Sequence, residues 1–215
     1  KLSNFQKLME LSFRQRSLIQ FFMILMGKSR MSDQVNEREM RSFSGYVRVC
    51  EKMTTGMLSI RGDFSSSEFK TALFKAVGTR LPNEKKVILA ENNIAWMSPD
   101  ELLVFCDYAA VSKISKNLKM ELKGQHHLVV NVSDARALFE VSGSAVREIV
   151  AKLAPVNIKA LEIGEIRRTR FSQIAAAFWL TSEANLSIIC FSSVADYMFN
   201  LLKTSSAQNS EVGGF

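Results

Sequence analysis

The chain has 215 residues, 47% of them hydrophobic and 23% charged, with a formal net charge of +7. These proportions are ordinary for a soluble globular protein and supply enough apolar material for a core. Residues 1–30 hold six basic side chains and one acid, leaving 22 basic and 20 acidic side chains for the rest, and so near-neutral a remainder argues against a basic nucleic-acid face.

The first thirty residues contain the most hydrophobic run, "SLIQFFMILMG" (17–27). It covers about half of the roughly 20 residues that a membrane helix needs. No small-x-small cleavage site follows, and Met31 opens a segment that reads like a natural start. Residues 1–30 are therefore expected to be an extension outside the fold, with a non-native start. A targeting segment and an amphipathic membrane-surface helix are the alternatives.

From Met57 onward one module recurs. A short apolar strand runs into small or acidic residues and then into an amphipathic helix. "MLSIRGD" precedes "FSSSEFKTALFKAVG", and "ELLVFCD" precedes "YAAVSKISKNLKMELKG". "ALFEVSG" precedes "SAVREIVAKL", and "LSIICFS" precedes "SVADYMFNLLK". Ser65 with Glu68 fits a capping box, and Asp107 suits a helix N-terminus. Gly78 and Gly124 are read as helix stops. Between the helices lie "KVILA", "NIAWM", "HLVVNV" and "RTRFSQIAAAFWL", several joined by turns too short for parallel crossovers.

The order β-α-β-β-β-α-β-β-α-β-β-β-α predicts an α+β fold of mostly antiparallel sheets with helices. Four strand-to-helix units predict two pseudo-repeated, ferredoxin-like halves, residues 45–124 and 125–203. The polar, Gly-rich segment 204–215 is expected to be a flexible tail.

Catalytic and ligand motifs are sparse. There is no GxGxxG, GxxxxGK[ST] or GxSxG pattern. Cys50, Cys106 and Cys190 lie far apart, with no metal-ligand spacing, and a reducing, cytoplasmic setting fits them. His126 and His127, adjacent on a strand, point to opposite faces. No catalytic, cofactor-binding or metal residue is assigned on this chain. Arg167, Arg168 and Arg170 form the sharpest charge cluster, with Arg168 and Arg170 on one face. A solvated sheet edge and a docking surface for an acidic ligand or protein are both open for it. In "VSDARALFEVSGSAVREIV", Ser133-Asp134 is read as a turn, and Arg147 and Glu148 as the wet side of a helix.

Five segments occur in order: "LSIRGDFSSSEFKTAL", "IAWMSPDELLVF", "VVNVSDARALFEVSGSAVREIVAKL", "RTRFSQIAAAFWL" and "FSSVADYMFNLL". Together, over roughly residues 45–203, they resemble the gamma-subunit family of heterotetrameric sarcosine oxidases. That family is similar in fold to the folate-binding aminomethyltransferases of the glycine cleavage system. The resemblance implies a subunit of a four-chain complex that oxidatively demethylates sarcosine to glycine. Such a complex passes the one-carbon unit to tetrahydrofolate or releases formaldehyde, and it makes hydrogen peroxide.

The resemblance further implies a structural, non-catalytic chain that contacts the alpha subunit, with beta and delta as the other partners. FAD, FMN, NAD, tetrahydrofolate and zinc are then expected on other subunits, and neither nucleic acid nor membrane as a partner. Candidate interface residues are Trp96, Met97, Arg168, Arg170, Trp179, Tyr197 and Phe199. The alternative implied by the same likeness is a stand-alone folate-dependent aminomethyltransferase-like or tRNA-modifying folate-binding protein. Against it, Asn131 stands where the transferases carry an acid, and Ala176 and Ala177 stand near the position of their key carboxylate.

Overall fold

The run "ELLVFC" at residues 101–106 is buried throughout, so this strand needs apolar cover on both faces. The architecture supplies it. In the computed structural model, which describes residues 41–213, two antiparallel sheets pack face to face and helices cover their outer faces. The extension expected at residues 1–30 lies outside the described residues, as do residues 214 and 215.

The strands are β1 (Ser42–Ser44), β2 (Arg48–Lys52), β3 (Thr55–Gly62), β4 (Val87–Ile88), β5 (Asn93–Ser98) and β6 (Glu101–Asp107). They continue with β7 (His127–Asn131), β8 (Arg136–Ser142), β9 (Ile166–Phe171), β10 (Ile174–Ser182) and β11 (Asn185–Phe191). The helices are α1 (Ser67–Val77), α2 (Val111–Glu121), α3 (Val146–Leu153) and α4 (Ala195–Ser205). One sheet has the order β4-β5-β6-β3-β7 and the other β1-β2-β8-β11-β10-β9. The α+β, antiparallel expectation is met.

The expected halves, 45–124 and 125–203, do not coincide with the sheets. Strand β7 pairs with β3 in the first sheet, and β2 pairs with β8 in the second. The chain changes sheet twice, between Lys52 of β2 and Thr55 of β3 and again in the turn after Asn131, where it leaves β7 for β8.

The pleat sorts each strand between two cores. Leu102 and Val104 of β6 face α1 and α2, whereas Leu103 and Phe105 face the other sheet. Phe178 and Leu180 of β10 face the helical side of their sheet, whereas Ala177 and Trp179 face inward. Trp179 is 2% exposed and lies 5.3 Å from Phe105, ring centre to ring centre. Met57, Met97 and Ile189 share this inter-sheet core.

Local signals are mostly obeyed, with small shifts. The cap of α1 is Ser66, whose Oγ accepts from Phe69 N–H at 3.2 Å. Ser65 instead closes a turn on Asp63. Asp107 caps a 3-10 turn that leads into α2. Gly78 ends α1 in the left-handed region, at φ 81°. Gly124 lies beyond α2, which already ends at Glu121.

The segment at the end of α4 departs from expectation. Residues 204–213 are held rather than free, because Glu148 is buried and not on a wet helix face. Its carboxylate accepts from the N–H groups of Val212 (2.7 Å) and Gly213 (3.3 Å), and it pairs with Lys152 at 2.9 Å. Lys152 donates to Ser210 O and to the Tyr46 hydroxyl. Arg147 is also occupied, donating to the carbonyls of Ile158 and Leu161.

The β1–β2 turn is pinned to the end of α4, where Tyr46 N–H donates to Ser206 O at 3.0 Å. A Cβ on Gly45 would stand 1.6 Å from that same oxygen. Gly45→Ala is therefore expected to lower stability by about 2 kcal/mol through forced backbone displacement. Urea denaturation checks this.

Candidate functional site

The two inner sheet faces cover each other only in part. Leu128 and Val130 of β7, with Val132 just beyond it, share the inward face with Met57, Ser59 and Arg61 of β3. Val132 packs on the inter-sheet core, but Leu128 and Val130 are 53% and 40% exposed. On the opposing sheet Arg136 extends the row of Leu138, Phe191 that of Ile189, and Arg168 and Arg170 that of Ile166. Apolar and cationic side chains from both sheets thus line an open mouth at this end of the inter-sheet space.

The electrostatics of the mouth are uneven. Arg61 engages both nearby acids, Asp100 at 3.2 Å and Glu101 at 3.1 Å. Ser59 also donates to Glu101. Hydrogen bonding from Ser98, with the charge of Arg61, holds the Asp100 carboxyl below its ordinary value. Arg168 reaches across the sheets to donate to Met97 O at 2.6 Å. Arg136 lies over the Phe191 ring, 4.2 Å from its centre. Burial pushes the Arg136 guanidinium below its ordinary value; Glu101 opposes the shift and Arg168 adds to it. Among the described residues no carboxylate lies within ion-pair distance of Arg136, Arg168 or Arg170.

The strand pair below the mouth is fixed by short polar links. Asn131 accepts from Ser133 N–H at 3.0 Å, and Ser133 Oγ accepts from Met57 N–H at 2.9 Å. Ser133-Asp134 forms the expected turn. Asn131 therefore acts here as a turn former.

The seven candidate interface residues separate. Met97 and Trp179 are buried between the sheets, at 3% and 2% exposure, and present no surface. Their apolar side chains lie on the inward pleat of β5 and β10. Trp96 is half-buried against the core beneath α1 and α2. Tyr197 is exposed on α4, while Phe199 is half-buried with Arg41 over its ring. Only Arg168 and Arg170 fall at the mouth. Sequence reasoning missed Leu128, Val130, Arg136 and Phe191. The signal for the first two was the strand "HLVVNV", which carries one wholly apolar face of Leu128, Val130 and Val132; the last two sit at strand ends and carry no periodic signal.

Ala176 belongs to the helix-side core, and Ala177 to the inter-sheet core. Burial pushes the Cys190 thiol up to about 12. No three His, Cys, Asp or Glu side chains cluster as a metal site among the described residues. No helix among them is long and apolar enough to cross a membrane.

Comparison with known proteins locates this architecture. The curated sarcosine oxidase subunit gamma of Arthrobacter sp is 27% identical over 123 residues, which cover 55% of this chain and 60% of the relative's length. A chain of the heterotetrameric sarcosine oxidase from Corynebacterium sp. U-96 superposes with a TM-score of 0.69 at 21% identity, covering 77% of this chain and 87% of that one. The glycine cleavage system aminomethyltransferase T of Bartonella henselae gives 0.53 at 13% identity over 72% of this chain and 45% of that one. These two structures show the fold, and with it the aminomethyltransferase-like architecture. The sequence model of the family described as "Sarcosine oxidase, gamma subunit family" matches residues 61–208, which include the four helices of the described residues and the strands β6 to β11. The chain belongs to the sarcosine oxidase gamma subunit family.

Proposed function

We propose that this chain is the gamma subunit of a heterotetrameric sarcosine oxidase and serves as a structural partner of the alpha subunit, beside beta and delta. The observation that carries this reading is the family match across residues 61–208. In the complex, sarcosine is oxidatively demethylated to glycine, the one-carbon unit goes to tetrahydrofolate or leaves as formaldehyde, and oxygen becomes hydrogen peroxide. FAD, FMN, NAD, tetrahydrofolate and zinc reside on the other chains in this reading. The partly covered inner faces, with exposed Leu128, Val130 and Phe191, offer this chain an apolar contact surface.

The test is co-expression of the other three subunits with and without this chain. Sarcosine-dependent peroxide formation in the soluble fraction is expected with it, and a clear loss without it. The purified chain alone is expected to turn over neither sarcosine nor a folate substrate. Turnover by the chain alone would overturn the reading.

A further inference from the structure

The two sheets follow one plan but differ in one connection. The order β4-β5-β6-β3-β7 repeats as β9-β10-β11-β8-β2. Helices α1 and α2, after β3 and β6, correspond to α3 and α4, after β8 and β11. In the first sheet, β7 follows α2 directly along the chain. In the second, its counterpart β2 lies far ahead of α4, so no short covalent link ties that strand to the helix.

A polar clasp stands where that link would be. Tyr46, in the turn between β1 and β2, donates its N–H to Ser206 O at 3.0 Å and its hydroxyl proton to Ser205 O at 3.1 Å. Lys152 of α3 donates to Ser210 O at 2.6 Å and to the Tyr46 hydroxyl at 2.9 Å. Glu148, one helical turn earlier, accepts from the N–H groups of Val212 and Gly213 and pairs with Lys152. Each of these bonds to residues 205–213 ends on the backbone. The Val212 side chain is 68% exposed and fills no core site. The segment is thus held by its peptide groups, two of them donating to a buried carboxylate, which makes those bonds charge-assisted.

We infer that residues 206–213 form a strap that fastens the β1–β2 hairpin onto β8, in place of a covalent connection from α4. Val47 and Val49, with half-buried Tyr46, are the hairpin's contribution to the helix-side core. Side chains of α4 also touch it, with Lys203 over the Phe43 ring and Asp196 paired to Arg41. Lys203 and Asp196 are exposed, so water screens those contacts, whereas the clasp is largely shielded. Strand β2 covers the outer edge of β8. A seated strap keeps that edge covered, and a released one lets the hairpin open and bares it.

Amide-resolved hydrogen exchange on the whole chain, carrying Val212→Pro or Val212→Ala, tests this. Proline removes the N–H that Glu148 accepts, whereas alanine keeps it. With Val212→Pro the β2 amides, including the Glu51 N–H that donates to Arg41 O, exchange at least about tenfold faster. Those of β3 and β6 in the first sheet keep wild-type rates, which also shows that the variant folds. Val212→Ala leaves both sets at wild-type rates. Three results overturn the inference. Unchanged β2 exchange in Val212→Pro makes the segment a passive tail. Equal acceleration in both sheets makes it a contributor to global stability alone. Equal effects of proline and alanine place the hold in the side chain instead of the backbone.

Discussion

Trp179→Ala is expected to destabilise the chain by about 3–5 kcal/mol, the cost of emptying an aromatic site in a packed core. Trp179 fills the space between the sheets against Phe105, with Met57, Met97 and Ile189 in the same cluster. Both sheets contribute rigid walls, so the site cannot collapse readily onto a methyl group. Trp179→Phe separates packing from polarity. The indole Nε1 is buried with no acceptor among the described residues, so phenylalanine loses ring volume but also removes an unsatisfied donor. It should cost less than half as much as alanine. Urea denaturation of the three proteins decides this. A near-neutral Trp179→Ala would mean that the sheets do not depend on this contact.

Glu148→Ala is expected to cost about 3 kcal/mol. It strips a buried carboxylate from Lys152, whose side chain is only 17% exposed, and leaves the Val212 and Gly213 N–H groups without their acceptor. The last turn beyond α4 should then open to proteolysis. The same group gives a pH dependence. Burial pushes the Glu148 carboxyl up, but hydrogen bonds from Val212, Lys152 and Gly213 outweigh it and hold the pKa below the ordinary 4.5. A depressed folded-state pKa gives stability that is present above 4.5 and lost as pH falls through the lower folded value. The stability gap between wild type and Glu148→Gln should therefore narrow below pH 4.5. A gap that widens on acidification would contradict the assignment.

Much of the fold could be read from the sequence, because strands and helices announce themselves locally. The order from β3 to α4 follows from apolar runs, caps and turn residues such as Ser133-Asp134. Sheet membership does not, since strand pairing is non-local: nothing near Arg48 or His127 reveals which sheet will take it. The four-layer packing left a trace in "ELLVFC", "AAAFWL" and "LSIICF", which are apolar on both faces as doubly covered strands must be. The same double-sided pattern hides which residues are surface. Trp179 and Met97 look like interface aromatics and anchors yet lie inside, whereas Leu128 and Val130 look like core yet lie outside. Glu148 misled for a different reason. Its helical position is amphipathic by pattern, but the residues that bury it, Val212 and Gly213, lie more than sixty positions away.

We propose that this chain acts as one member of a four-subunit sarcosine oxidase. Native mass spectrometry of the co-expressed alpha, beta, gamma and delta chains tests it most directly. One particle holding a single copy of each chain is expected, from which this chain dissociates together with alpha under mild activation. A three-chain particle with this chain running separately as a folded monomer would contradict it.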